Sequence, residues 1–210
     1  MTHGLERRLK HELSSYCLLD SRFYENLERY QPSETLYRDI VMDILPEGWE
    51  IRSERLWHVC LPPHFSSPEQ GFKIHLSAIT ATAKTVLQRA IPPLRDAGVA
   101  FKFVVDRAML DHFNSKHSPR GSSGKFITVY PRSQEECAVL LGQLHAATKD
   151  LKGPHILSDR PFQGSRVVYY RYGGFTPRYQ MTSYGERVPV VIGPGGRCNS
   201  RYAGPGISVA

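Results

Sequence analysis

The chain has 210 residues, 40% hydrophobic and 22% charged, with 27 lysines and arginines against 20 acidic residues and a formal net charge of +7. That length supports one well-buried core with an added tail, and no apolar run is long enough to span a bilayer. The surplus of positive charge points to an anionic partner: nucleic acid, a membrane surface or a phosphorylated substrate.

The first fifth of the chain reads as helical. Leu5, Leu9 and Leu13 make a stripe over 4–13, Asp20 can cap a helix over 20–30, and a third helix covers 35–44 before Pro46-Glu47-Gly48. The opening MTHGLERRLKHELSS alternates charge with leucine and lacks the apolar stretch of a secretory signal, which predicts a cytoplasmic protein. Strands follow at 50–61 and 71–78, separated by a Pro/Ser/Gly-rich loop over 62–70. A helix over 81–91 is predicted to stop at Pro92-Pro93, followed by a strand at 99–106 and a helix at 106–115. The loop 115–125 leads to a strand at 126–131. Ser133 and Glu136 form a capping box for a helix over 133–151, with Val139, Leu140, Leu144 and Ala147 as its buried face. Strands at 165–172 and 179–184 close the pattern, and from 185 onward glycine and proline predict a linker or tail. Helices first, then strands interleaved with helices, predict an α+β domain, its mainly antiparallel twisted sheet flanked by helices.

Four segments carry residues suited to chemistry. In GFKIHLSA, Phe72, Ile74 and Leu76 face one way, while Lys73, His75 and Ser77 share the other face; a solvated sheet face would look the same. In VAFKFVVD, Phe101 and Phe103 alternate with Ala100, Lys102 and Val104, so a lone lysine lies in a strand expected to be covered on both sides. An ammonium in that position must be paired, reach water or lose its proton, and a lysine desolvated beside other cations can act as a base. SPRGSSGK has the look of an anion-binding loop, with Gly121 and Gly124 freeing the backbone and Arg120 and Lys125 carrying charge; a flexible surface loop is the alternative. It lacks the ending of a nucleotide-binding P-loop. VVYYRYGGFTPR places Arg171 and Arg178 seven apart around a Gly-Gly turn, where guanidinium groups could bind phosphate or stack on tyrosines. The set lacks a nucleophilic triad and an acidic metal cluster, and it suits elimination on a phosphoester. Cys17, Cys60, Cys137 and Cys198 lie far apart with no CxxC pair, which argues against structural zinc. The cationic residues are dispersed and form no RNA- or DNA-binding motif, which counts against nucleic acid as the partner, and no membrane partner is expected.

Lys73-Ile74-His75, Phe101-Lys102, Arg120 and the Arg171/Arg178 pair resemble, in order and spacing, the phosphothreonine lyase effectors of pathogenic bacteria. NSKHSPRGSSGKFITVYP, SRVVYYRYGGF and YCLLDSRFYE resemble more closely the N-terminal lyase domain of class III lanthipeptide synthetases, and more distantly of class IV, over about residues 15–185. The resemblance implies a phosphothreonine-lyase-like fold and a lyase domain over 1–185, with 186–210 leading toward a kinase domain absent from this chain, which has no kinase HRD or DFG sequence. It implies that Lys102 is the general base, Lys73 steadies the developing enolate and His75 is the general acid. Arg120, Arg171 and Arg178 hold the phosphate, Lys125 assists, and Tyr130 approximates a tyrosine of the effectors near the phosphate. The surrounding cations are expected to lower the pKa of Lys102. The implied substrate is a phosphorylated ribosomal precursor peptide of leader plus core, the implied partners are kinase and cyclase domains of the same synthetase, and neither cofactor nor metal is called for. A non-catalytic phosphopeptide, leader-peptide or nucleic-acid binding module is the alternative, along with a degenerate lyase fold and a phosphatase.

Overall fold

The computed structural model describes residues 30–192 apart from 67, 117, 119, 177, 182 and 186, together with the backbone of 198–199. The helices expected over 4–13 and 20–30 lie outside the described residues, save Tyr30. Helix α1 (Leu36–Ile44) buries Tyr37 and Val41. Strands β1 (Glu50–Glu54) and β2 (Trp57–Leu61) form a hairpin where the sequence suggests one strand. The polar run Arg52-Ser53-Glu54-Arg55 breaks the apolar alternation; Arg55 adopts a φ of 51° and Glu54 pairs with Trp57 across the turn.

Strand β3 (Gln70–Leu76) precedes helix α2 (Thr80–Asp96), which runs through Pro92 and Pro93 instead of ending at 91. Each proline removes one N–H donor, yet fully buried Leu94 holds a further turn against the core. The helix then closes where Gly98, with a φ of 58°, donates to the Arg95 carbonyl. After β4 (Phe101–Val104), the Asp106 carboxylate caps α3 (Arg107–Phe113) by accepting from the Met109 N–H. Strand β5 (Ile127–Val129) leads to α4 (Gln134–Thr148), whose cap Ser133 accepts from the Glu136 N–H. The buried stripe of α4 is Cys137, Leu140, Leu141 and Leu144, while Val139, expected inside, is 59% exposed. The i, i+3, i+4, i+7 spacing of those four residues sets the stripe and leaves Val139 a full step off it.

Strands β6 (Arg160–Pro161) and β7 (Val168–Gly174) complete a seven-stranded sheet of order β1-β2-β4-β5-β3-β7-β6, antiparallel at every pairing. The α+β expectation holds: one domain, its antiparallel sheet flanked, among the described residues, by four helices. The core lies between α2, α4 and the sheet face bearing Ile74, Leu76, Phe101, Phe103 and Ile127. Free Cys60 and Cys137 are buried, their thiols pushed up to about 12 chiefly by that burial.

A second sheet, β8 (Arg178–Met181), β9 (Arg187–Ile192) and β10 (Cys198–Asn199), has the order β10-β9-β8. Strand β9 lies where the glycine and proline content predicts tail; its run of Val190, Val191 and Ile192 is β-branched, which favours strand. The Gln70 side chain ties it to the main sheet, donating to the Ile192 carbonyl at 2.6 Å and accepting from the Ile192 N–H at 2.9 Å.

Candidate active site

Antiparallel register lines up one row across the sheet: Val59 opposite Lys102, Lys102 opposite Thr128, Thr128 opposite His75, and His75 opposite Tyr169. Cross-strand partners point to the same face, here the face away from Ile74 and Phe101. Two strand spacings separate Lys102 from His75, about 10 Å between backbones, with Thr128 beneath the gap. Lys73, two residues from His75 on β3, is paired with Arg171 on β7. Tyr130 follows Thr128 by two. Lys102, Lys73, His75, Arg171 and Tyr130 thus share one face because β4, β5, β3 and β7 alternate in phase.

Lys73 Nζ lies 5.6 Å from the Tyr130 ring centroid and 5.4 Å from that of Phe175. Phe175 leans over Gly71, where an added Cβ would meet its ring at 3.2 Å, so the glycine makes room for it. Lys102 Nζ sits 4.4 Å from the Trp57 ring centroid. Lys125, almost wholly buried, donates to the Gly121 carbonyl at 2.6 Å and lies 3.9 Å from Asp159 Oδ1. Arg171 Nε is 3.8 Å from the same oxygen and has no hydrogen-bond partner although that atom is buried.

Asp159, in the turn before β6, is not among the residues singled out from the sequence. Its carboxylate is fully buried and takes the hydrogen bond of His75 Nδ1, which leaves Nε2 as the ring nitrogen for a ligand. Ser158 Oγ donates to its other oxygen at 2.6 Å. Burial opposes the charge on Asp159, but the bond to His75 and nearby Lys125 outweigh it and hold the carboxyl below its ordinary range. Burial likewise drives His75 down, against the pull of Asp159, so the free protein carries a neutral imidazole beside a carboxylate. The only hint in sequence is a lone acid between two predicted elements in a basic chain; its loop has no periodicity from which to read direction.

The lysines divide in an unexpected way. Lys73 and Lys125 are each lowered to about 8, first by burial and then by repulsion from Arg171 and Lys102, with Lys125 also adding to the repulsion on Lys73 and Asp159 opposing both shifts. Lys102 is also lowered, but by burial, with Glu54 pulling the other way. The expectation that neighbouring cations depress Lys102 is therefore corrected: desolvation beside Trp57 and buried Val104 does so, and mutual repulsion falls on its neighbours. Tyr130 is pushed up to about 12, mainly by burial, and stays protonated.

Two predicted residues stand apart. Arg120 is exposed, in the turn just before the Gly121 carbonyl that Lys125 engages. Arg178 is exposed on β8 and its guanidinium donates to Glu69, beyond the far end of the Lys73 row. Among the described residues no group of histidine, cysteine and acidic side chains could hold a metal ion, and no helix is long and apolar enough to cross a membrane.

A family model described as the RamC N-terminal domain matches residues 37–209. The chain is 38% identical over 194 residues to a probable SapB synthase of Streptomyces coelicolor, covering 90% of this chain and 21% of that protein. It therefore spans about a fifth of that relative's length. Among solved structures, it is similar to the type III effector and phosphothreonine lyase OspF from Shigella flexneri (15% identity, TM-score 0.50, 81% of this chain and 90% of that one). It is also similar to the phosphothreonine lyase SpvC from Salmonella (12% identity, TM-score 0.48, 79% of this chain and 89% of that one). At such identities the likeness to OspF is one of fold.

Proposed function

The chain belongs to the RamC N-terminal domain family, and from that premise and its basic face we propose that it is a lyase eliminating phosphate from phosphoserine or phosphothreonine of a ribosomal precursor peptide. The products would be dehydroalanine or dehydrobutyrine and inorganic phosphate, made in the cytoplasm during lanthipeptide biosynthesis of class III type. Kinase and cyclase activities of the same synthetase would supply the phosphopeptide and consume the alkene, in keeping with a chain that spans 21% of a synthase relative.

The observation that carries this reading is the row Lys102–Thr128–His75, which sets an amine and an imidazole on either side of one side chain. A phosphorylated residue above Thr128 would present its α-proton to Lys102 and its Cβ–O bond to His75. Neutral Lys102 takes the proton, the electron pair forms the Cα=Cβ bond, and the Cβ–O bond breaks with phosphate leaving. Lys73 would face the substrate carbonyl and stabilise the enolate as it develops. Arg171 Nε, buried and without an acceptor, and Lys125, beside it, would hold the phosphate. Arg120, and Arg178 once released from Glu69, would add outer donors, and Tyr130 supports Lys73.

His75 is neutral in the free protein, so its acid role depends on charge brought by the substrate. A phosphate dianion near Nε2 favours the imidazolium, already faced by Asp159 on the other side. The test is to incubate the protein with a phosphorylated peptide and weigh the product. A lyase leaves a peptide one water lighter than the unphosphorylated parent, which then adds thiols; a phosphatase returns the alcohol, and a binding module leaves the mass unchanged.

A further inference from the structure

A base in a phosphate site faces a conflict. Its amine must be held in one place, yet the usual tether, a carboxylate, would repel the dianion and grip the proton. At Lys102 an aromatic ring, that of Trp57, lies against the amine. Trp57 is a diagonal neighbour of Lys102 on the same face, since Val59 pairs with Lys102 and Trp57 with Val104. Its ring centroid lies 4.4 Å from Nζ, closer than either ring at Lys73. The ring is itself fixed, stacked on Phe113 at 5.2 Å and 29°. Phe113 is only 3% exposed, so the stack is anchored in the core.

We propose that Trp57 is the positioning residue for Lys102, its indole face holding the amine at the base position of the Thr128–His75 row. This rests on the reading of Lys102 as the base. The ring quadrupole attracts the ammonium without a net negative charge, so the amine is oriented while the field felt by phosphate stays positive. The other charged or titratable groups around Lys102 are Glu54 on β1, Lys73 and His75 on β3, Lys125 before β5 and Tyr130 after it. Of these, Glu54 alone carries a carboxylate, and it is exposed.

The test compares Trp57→Phe with Trp57→Leu, two side chains of similar bulk of which one keeps a π face. Trace labelling with acetic anhydride across pH, followed by mass mapping of the Lys102 peptide, gives the amine pKa without reference to activity. The leucine variant should show a Lys102 pKa lower than the phenylalanine variant by about half a unit to one unit, because the ammonium has lost its partner. The acid limb of the elimination rate should move down with it, and kcat should fall about tenfold or more relative to Trp57→Phe with little change in KM. Equal labelling pKa values in the two folded variants would overturn the proposal. A labelling pKa that moves while the acid limb stays fixed would instead overturn the assignment of Lys102 as base, on which the proposal rests.

Discussion

The two faces of the central sheet are built from the same strands and obey opposite rules. On β3, Phe72, Ile74 and Leu76 enter a core with α2 and α4, while Lys73 and His75, one residue out of phase, enter a basic site in which His75 is buried and Lys73 half-buried. The apolar face gains from burial. The basic face is burdened by it, as the lowered pKa values of Lys73, Lys125 and Lys102 record. Residues that pack should therefore govern stability, and residues that shift should govern chemistry.

The largest effect on the basic face is expected from Lys102→Ala: elimination falls roughly a hundred- to ten-thousand-fold, with the circular dichroism spectrum retained. On the apolar face, Phe101→Ala should cost about 3–5 kcal/mol in denaturant unfolding, since Phe101 is wholly buried against Trp49 and Phe103. A stable Phe101→Ala would break the contrast. Asp159→Asn keeps the shape but removes the charge that would face His75 once bound phosphate favours its protonation, and should slow elimination roughly a hundredfold while leaving phosphopeptide affinity within a few-fold. Arg171→Ala should weaken phosphopeptide binding about tenfold or more, and Arg178→Ala less, because Arg178 is engaged by Glu69.

The smallest effect is a pH dependence of stability. Lys73 and Lys125 titrate near 8 when folded and at 10.5 ordinarily, so between these values the unfolded chain binds more protons. Stability should then rise with pH from about 8 toward 10.5, by up to about 1.4 kcal/mol per unit for each lysine before screening, read as an increasing urea midpoint. Saturating inorganic phosphate, which favours both ammonium groups, should flatten that rise.

Much of this contrast was legible from alternation alone. Period-two spacing put Lys73 with His75 and isolated Lys102 among apolar neighbours, because a strand fixes which residues share a face. What alternation does not carry is the partner strand: the row joining Lys102 to His75 through Thr128 exists only once β5 is seated between β4 and β3. Asp159 and Phe175 reach the site from loops, where no period exists, and Trp57 comes from a hairpin that reads as one strand. The proline pair in α2 misleads for a related reason, since the lost donors are local and the burial of Leu94 is not. Arg178 matches the expected spacing, yet its side chain is turned to Glu69.

Whether an amine on the basic face removes a carbon-bound proton is decided by weighing one phosphopeptide after incubation with the wild-type protein and with folded Lys102→Ala. The wild-type protein should yield the dehydrated, thiol-reactive peptide and Lys102→Ala should leave the phosphopeptide unchanged. Dehydrated peptide formed at equal rates by both, or a free hydroxyl peptide from the wild type, would contradict it.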